Sequence, residues 1–402
     1  MDDRASEASA GGVSAGGVWA WLRRHAELVV CVALIALGLA ASLVVSELVG
    51  RAARGAGGAW RLTPPPASSA ALLDVDYAAP DDVWVAGQGI VTHSTDGGMS
   101  WAGGLAANDV VFTSVCALGD KRVVAAGLRY SGDAQRGAPM IALTTDGGAT
   151  WSALDDQSTP ILYGVTLNDM DFAGDGHGLA VGSVAPAKPR ASGARQEGIL
   201  LETGDGGASW GRRPLAGAPM PTCVTHGPDG TWWIGLTGGA VLRSTDDGRR
   251  WRRLKVVDPF DLPKPSPAEI VAIVATGSDH VWALASQYGR YRDGPTLIYE
   301  GRPAGASWIW SLRLPAGHAL CDLAVVDGKT LWAVGGQGTP FAKVNGPGTE
   351  QEDSFLLGST DGGSEWDPVT APTDHWLLAV DFADPQHGCI VGTKGTVLVG
   401  GK

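Results

Sequence analysis

One eight-residue pattern occurs five times in this chain of 402 residues, and that repetition restricts the possible folds more than any other feature. The pattern is Ser or Thr, any residue, Asp, Gly or Asp, Gly, two further residues and Trp. Its Asp and Trp positions are Asp96 and Trp101, Asp146 and Trp151, Asp205 and Trp210, Asp246 and Trp251, and Asp361 and Trp366. An Asp side chain can accept backbone N–H bonds across a tight turn, and glycine readily adopts a positive φ. The pattern therefore predicts five equivalent hairpin turns, with a structural role for each Asp and the next strand beginning at each Trp.

A short apolar strand that ends in Gly or Ala is repeated even more often than the turn. It occurs at residues 83–87, 123–127, 178–182, 231–235, 281–285, 331–335 and 388–392. An earlier strand precedes each of them, so the repeating unit is strand, turn, strand, loop, strand, turn, strand. Four strands at a period of roughly 40–57 residues are typical of a β-propeller blade.

We therefore predict an all-β fold, a seven-bladed β-propeller of four-stranded blades over residues 57–402. The blades are expected at approximately 70–104, 109–154, 161–213, 220–255, 269–313, 318–369 and 375–402. The last unit ends without a turn or an outer strand, whereas the segment around Trp60 resembles the end of a repeat. Residues 57–63 are therefore predicted to complete the last blade as its outer strand, which would remove an open sheet edge.

An uncharged and mostly apolar run at residues 28–45 meets the length criterion for a membrane-spanning helix. We predict an N-terminal tail at 1–26, a transmembrane anchor at 27–49 and a juxtamembrane linker at 50–56. A cleaved signal peptide is the alternative, although its n-region would be unusually long. Arginines occur on both sides of the run, so the charges do not indicate an orientation.

The charge balance and the cysteine pattern argue against several classes of function. The net charge is −12, which is unsuited to general nucleic-acid binding because phosphate affinity needs clustered cations. The five cysteines lie far apart without a Cys-x-x-Cys motif, so we predict neither a zinc site nor a disulfide scaffold. The eight His residues are scattered along the chain. We expect no cofactor and no metal.

Long segments connect the predicted second and third strands of four units, and long loops on a rigid scaffold often carry function. Three of these segments carry cationic and aromatic residues, which are favoured at protein interfaces, and the fourth is acidic. The predicted partner-binding residues are Arg129, Tyr130, Arg136, Lys188, Arg190, Arg195, Tyr288, Arg290, Tyr291 and Arg292. The alternative is that these segments are ordinary solvated loops.

A further cationic cluster occupies the predicted outer hairpin of the fourth unit. It consists of Arg243, Arg249, Arg250, Arg252, Arg253 and Lys255. One interpretation is a sheet edge protected by charge, and the other is contact with anionic lipid head groups.

The repeated turn resembles the Asp-box, or bacterial neuraminidase repeat, which in that family is structural and lies away from the ligand site. The likeness to sialidases raises an enzymatic alternative, but no arginine lies in an Arg-Ile-Pro-type first-strand motif. A general glycosidase needs two carboxylates that flank the sugar. The candidates on first strands are Asp76, Asp171, Asp322 and Asp381, for which turn or strand-end roles are the other interpretation. We expect no catalytic residues.

The segments at 331–335, 392–398 and 144–151 are similar to repeats of the photosystem II stability/assembly factor family and its bacterial relatives. That resemblance implies a non-catalytic propeller that binds a membrane-protein partner during assembly, partly through arginines. It also implies a location outside the cytoplasm, here as a single-pass protein of the bacterial inner membrane. We predict a membrane-anchored protein-binding scaffold or assembly factor that does not bind nucleic acid. The alternatives are a glycan-active or glycan-binding propeller and an extracytoplasmic sensor domain.

Overall fold

The computed structural model describes most of the compact unit Gly55–Lys402. The described residues are 60–66, 70–119, 121–130, 137–184, 197–215, 218–256, 268–277, 280–286, 296–302, 307–314, 318–337 and 353–401. The predicted tail, anchor and linker, including the apolar run at 28–45, lie outside these ranges. Within them, no helix has the length and apolar character needed to cross a membrane.

The described part of the chain consists almost entirely of β-strands, with two short 3₁₀ turns at Pro160–Leu162 and Thr393–Gly395. The strands are β1 (Arg61–Leu62), β2 (Leu72–Ala79), β3 (Asp82–Ser94), β4 (Ala102–Ala117), β5 (Val123–Arg129), β6 (Ala138–Thr144), β7 (Ser152–Asp155), β8 (Val165–Phe172), β9 (Gly178–Val184), β10 (Glu197–Thr203), β11 (Gly211–Pro214), β12 (Pro221–His226), β13 (Trp232–Leu236), β14 (Ala240–Ser244), β15 (Arg252–Lys255), β16 (Glu269–Gly277), β17 (His280–Ser286), β18 (Thr296–Arg302), β19 (Ser307–Leu314), β20 (His318–Val325), β21 (Leu331–Gln337), β22 (Asp353–Ser359), β23 (Asp367–Pro368), β24 (Leu377–Asp384), β25 (His387–Gly392) and β26 (Val397–Gly400).

The described strands form six sheets, all of them antiparallel. Strands β8 to β11, β12 to β15, β16 to β19 and β20 to β23 form four sheets of four strands each. A fifth four-stranded sheet has the order β1-β26-β25-β24, and strands β2 to β7 form one six-stranded sheet. The predicted all-β propeller is confirmed, but the prediction of seven four-stranded blades is wrong because the first two predicted units share one sheet.

The first two predicted units form one sheet because β3 and β4 are long, continuous strands. Each of them covers a stretch of chain in which two separate strands were predicted. The rings of Trp84 and His93, both in β3, stack with centroids 4.4 Å apart. Nine residues of extended strand would separate them by roughly 30 Å. The chain therefore reverses within β3, where Gly89 adopts a φ of +78°. Strand β4 begins beside β3 and ends beside β5, so it links the two halves of the sheet.

The second strand of each four-stranded sheet is the most deeply buried. All five residues of β13 are buried, and so are residues 281–286 of β17. A short, continuous apolar run is typical of a strand covered on both faces, and neighbouring sheets supply that cover here. For example, Trp210 contacts Phe172 edge-on at 5.9 Å in a cluster that also contains residues of β5 and β6.

The N-terminal strand β1 is the outer strand of the sheet that contains the C-terminal strands. Arg61 lies opposite Val399, and Leu62 lies opposite Leu398. Trp60 is buried against Trp332 of the preceding sheet, with ring centroids 5.3 Å apart. The two ends of the described chain are therefore held in one sheet.

Candidate partner-binding face and central channel

The strand register divides the propeller into two faces. Val165 at the start of β8 lies opposite Val184 at the end of β9, and Glu197 at the start of β10 also lies opposite Val184. First strands therefore begin on the same face from which the connections between second and third strands leave, and we call it the loop face. The repeated turns follow the ends of third strands, so they lie on the opposite face, the turn face.

A cavity of about 270 Å³ lies between the first strands of the sheets, at the centre of the propeller. Its lining includes Leu73, Asn168 and Cys321, each of which falls at a register shift in its strand. A β-bulge inserts one extra residue and turns its side chain away from the regular alternation. The bulges thus direct these side chains into the channel near the loop face.

Three aspartates form one level of the channel wall and connect neighbouring first strands. One carboxylate oxygen of Asp169 accepts the N–H of Met170 at 2.8 Å, and the other accepts the N–H of Val224 in β12 at 2.9 Å. Asp74 and Asp322 have the same double role. The acceptor distances from Asp74 are 2.9 Å to Val75 N and 2.7 Å to Val115 N, and those from Asp322 are 2.8 Å to Leu323 N and 2.9 Å to Val380 N.

A second level of three aspartates repeats the arrangement. Asp76 and Asp171 come two residues after Asp74 and Asp169 on the same strands, and Asp381 lies on another first strand, β24. Asp76 accepts the N–H of Ala117 at 2.6 Å, and Asp171 accepts the N–H of His226 at 2.7 Å. Asp381 of β24 accepts the N–H of Tyr77 in β2 at 3.1 Å. This last bond joins the final first strand to the initial one, so carboxylate bridges help to close the ring.

Burial changes the proton affinity of all six channel carboxyls. Loss of solvation raises the pKa of Asp169 to about 6 and the pKa of Asp171 and Asp322 to about 7. Burial also raises the pKa of Asp74, Asp76 and Asp381; for Asp76 the neighbouring charge of Asp381 adds to the increase. The backbone N–H groups oppose these increases because they stabilise the charged form.

The four aspartates that the sequence analysis considered as glycosidase candidates therefore have a structural role in the channel wall. Asp76, Asp171, Asp322 and Asp381 each accept backbone N–H groups of a neighbouring first strand. Sequence reasoning missed Asp74 and Asp169, which have the same role. The available signal was their position two residues before Asp76 and Asp171, on the same side of a strand.

In the repeated turns, the Asp side chain holds the turn together. Asp96 accepts the N–H groups of Met99 and Ser100 at 3.0 and 2.8 Å, and Ser94 donates its hydroxyl to Asp96 at 2.7 Å. Gly98 adopts a φ of +86° and donates its N–H to Ser94 Oγ. The hydroxyl bonds from Ser100 and Ser94 lower the pKa of Asp96 to about 2.

Equivalent contacts occur in the other four turns. Hydrogen bonds at Asp146, Asp205, Asp246 and Asp361 join the carboxylate to the turn backbone and to the first Ser or Thr of the pattern. Trp151 and Trp210 donate their indole N–H groups to Gly148 O and Gly207 O at 3.2 and 3.1 Å. These aspartates lie on the turn face, away from the loops.

The structure describes two of the ten predicted partner-binding residues. Arg129 ends β5 and forms ion pairs with Asp109 at 3.3 Å and Asp155 at 3.4 Å, so its charge is already compensated within the protein. Tyr130 is 46% exposed beside the segment 131–136. The remaining eight lie outside the described residues: Arg136, Lys188, Arg190, Arg195, Tyr288, Arg290, Tyr291 and Arg292.

The described residues offer no cluster of three or more His, Cys, Asp or Glu side chains suited to a metal ion. The thiols of Cys116, Cys223 and Cys389 are free and buried, and burial raises their pKa. Cys321 lines the channel.

The chain is similar in sequence and in fold to photosystem II assembly proteins. No protein-family model matches the chain. The chain is 27% identical over 300 residues to the photosystem II assembly lipoprotein Ycf48 of Synechococcus sp. strain CC9902, a match that covers 64% of this chain and 78% of that protein.

Two solved structures show the same propeller fold. A structure described as YCF48 bound to D1 peptide aligns with a TM-score of 0.58 at 19% identity, covering 87% of this chain and 98% of that one. The GH74 xyloglucanase from Xanthomonas campestris aligns with a TM-score of 0.55 at 14% identity, covering 85% of this chain and 53% of that one.

Proposed function

We propose that this protein is a non-catalytic propeller that binds a segment of a membrane-protein partner on its loop face and assists the assembly or stability of a membrane complex. The observation that carries the proposal is the similarity over 300 residues to a photosystem II assembly lipoprotein. A solved structural neighbour is described with a bound D1 peptide, which supports a peptide segment as the kind of ligand.

The arrangement of the channel supports binding rather than hydrolysis. A glycosidase needs one carboxyl group that protonates the leaving group and a second that acts on the sugar ring or on water. Here the six channel carboxyls already accept hydrogen bonds from backbone N–H groups, and these bonds connect neighbouring first strands. Moving one of them onto a substrate would leave a buried N–H without its acceptor, which costs about 1–3 kcal/mol.

The partner-binding surface that we propose consists of Tyr130 together with the cations and tyrosines of the segments 131–136, 185–196 and 287–295. The described strands that precede these segments in the chain, β5, β9 and β17, end on the loop face. Arginine and tyrosine often dominate the binding energy of protein interfaces. We assign Arg129 a structural role because Asp109 and Asp155 already neutralise it.

Attachment to a membrane completes the proposal. The apolar run at 28–45 would hold the protein at the bacterial inner membrane, with the propeller outside the cytoplasm. The relative from Synechococcus is named a lipoprotein, which supports a membrane location. The propeller would then lie at the membrane surface, where it could contact a membrane-protein partner.

The test is affinity capture of the tagged full-length chain from cross-linked native membranes, followed by mass spectrometry. We expect the Arg290→Ala, Arg292→Ala double variant to recover at least fivefold less of the membrane-protein partner, because interface arginines commonly contribute 1 kcal/mol or more, about fivefold in affinity. The matched control is the Lys121→Ala, Lys329→Ala variant, which removes the same charge from the turn face. Equal recovery by both variants would contradict binding on the loop face.

A separate assay tests the non-catalytic claim. The purified full-length chain is incubated with sialosides and with plant and bacterial glycans, and released sugar is measured. We expect no turnover above that of buffer. Turnover that disappears in an Asp171→Asn or Asp322→Asn variant that still folds would overturn the claim and favour the glycan-active alternative.

A further inference from the structure

The outer edge of the sheet formed by β12 to β15 carries a concentrated positive charge. Strand β15 contains Arg252, Arg253 and Lys255, all exposed, and the turn before it contributes the exposed Arg249 and Arg250. We call these five residues the cationic rim. They stand on a chain whose net charge is −12.

Most of this charge is not neutralised within the described structure. Arg250 lies 3.9 Å from Asp246 and is 92% exposed. In the ranges that the structure describes, no acidic side chain forms an ion pair with Arg249, Arg252, Arg253 or Lys255. Within the described residues, these cations are therefore exposed and form no ion pair shorter than 3.9 Å.

The register of β15 places like charges directly opposite each other. Arg252 faces Arg243 of β14 across the strand pair. Like charges in directly opposed positions destabilise a sheet. Arg243 is held over the ring of Trp233, with its guanidinium carbon 5.3 Å from the ring centroid. The cluster therefore has a folding cost that an external anion would offset.

Protection of a sheet edge does not explain so many cations. The outer strand β7 consists of Ser152–Asp155 and contains no cation, and β23 consists of Asp367–Pro368. These edges are exposed to the same risk of strand pairing, yet they carry no comparable cluster. The outer strand β11 does contain Arg212 and Arg213, and Arg213 pairs with Glu202 at 2.6 Å. Among the described outer edges, the cations are therefore most numerous on β15 and the turn before it.

We propose that the cationic rim docks on the anionic head groups of a phospholipid membrane and sets the propeller edge-on to that surface. Clusters of four to eight Lys or Arg residues are typical of surfaces that bind anionic lipid. The rim is distinct from the loop face, so docking would leave that face accessible to a protein partner.

The first test is chemical footprinting of the wild-type full-length chain. Lysine acylation is measured at Lys255 and at the exposed Lys329, with vesicles of phosphatidylcholine alone or with one third phosphatidylglycerol. We expect the anionic vesicles to protect Lys255 about tenfold more than neutral vesicles and to leave Lys329 unchanged. Equal labelling of Lys255 in both conditions would overturn the proposal.

The second test compares two variants with the same change in net charge. Arg249, Arg252 and Arg253 are replaced by Glu in one, and Arg61, Lys121 and Lys329 are replaced by Glu in the other. The readout is the fraction of protein that floats with anionic vesicles minus the fraction that floats with neutral vesicles. This difference removes any contribution that the apolar run at 28–45 would make equally to both lipids. We expect this difference between anionic and neutral vesicles to be at least tenfold smaller for the rim variant than for the wild type.

The control variant decides what the loss means. A small loss in the control supports a local docking surface, whereas an equal loss in both variants would show an effect of overall charge and would overturn the proposal. A rim variant that keeps this difference between vesicles but loses an acidic protein in cross-linked membranes would also overturn it, in favour of a protein ligand.

Discussion

At the scale of single residues, the aspartates of this chain divide into two groups with opposite electrostatics. The turn aspartates are exposed and receive hydroxyl and N–H donors, which lower the pKa of Asp96 and Asp146 to about 2. The channel aspartates also receive N–H donors, but burial outweighs those bonds and raises the pKa of Asp171 to about 7. The same side chain thus fastens a local turn in one place and joins distant strands in the other.

The structural role of a channel aspartate can be measured at Asp169. Replacement by Ala removes the acceptor for Met170 N and Val224 N, and each buried donor left unsatisfied costs about 1–3 kcal/mol. We expect the free energy of unfolding, from urea titration near pH 5, where the raised pKa keeps Asp169 mostly protonated in the native state, to fall by about 2–4 kcal/mol. The control is Asp374→Ala, because the side chain of Asp374 is 81% exposed and contributes little. An Asp169→Ala variant as stable as this control would contradict the strand-joining role.

At the scale of elements, the sheet formed by β24, β25 and β26 receives its outer strand from the other end of the described chain. Strand β1 has only two residues, so its ladder bonds contribute little by themselves. Trp60 provides the larger part of the attachment through edge-on contacts with Trp332 at 5.3 Å and Phe382 at 5.8 Å. A short strand and one large side chain together cover the edge of β26.

We expect Trp60→Ala to lower the free energy of unfolding by about 3–5 kcal/mol, because it deletes a buried aromatic side chain. Hydrogen exchange at Val399 and neighbouring amides of β26 should accelerate, since β1 would detach. The matched control is Leu62→Ala in the same strand, where the side chain is 50% exposed and the expected loss is under about 1 kcal/mol. Similar losses from both substitutions would show that the ladder, not the indole, holds the strand.

At the scale of the whole molecule, the six channel carboxyls make the propeller sensitive to pH. Between about pH 4 and pH 7 the native state retains protons that the unfolded chain, with ordinary carboxyl pKa values near 4, has already released. The free energy of unfolding must then decrease as the pH rises through this range. The turn aspartates act in the opposite sense, but only below about pH 4, where their unfolded forms take up protons.

We therefore expect the urea midpoint of the full-length chain to be higher at pH 5 than at pH 8. The Asp171→Asn, Asp322→Asn variant should show a smaller difference, because it removes two carboxyls whose pKa is raised to about 7. Urea denaturation followed by Trp fluorescence at a series of pH values measures both. A midpoint that rises steadily from pH 5 to pH 8 in the wild type would contradict the assignment of raised pKa values to the channel.

The features that could be predicted from the sequence are those that depend on neighbours along the chain. The position of Asp96 between Ser94 and Gly98 indicates a tight turn, since all the donors that the carboxylate needs lie within four residues. The period of the apolar strands indicates a propeller for a similar reason, because each blade is assembled from consecutive strands. The number of sheets was predicted wrongly, because the reversal at Gly89 leaves no break in β3 that separates one strand from the next.

The chain by itself determined its local turns, its strand repeat and the excess of cations near Arg252. Only the tertiary structure decided which groups those residues meet. Asp169 and Val224 are 55 residues apart, Asp381 and Tyr77 are 304 apart, and no local spacing encodes either hydrogen bond. The physical reason lies in the closure of the ring. Only closure brings successive first strands together around the channel, where a carboxylate loses part of its solvation, its pKa rises, and it accepts N–H groups of the neighbouring strand.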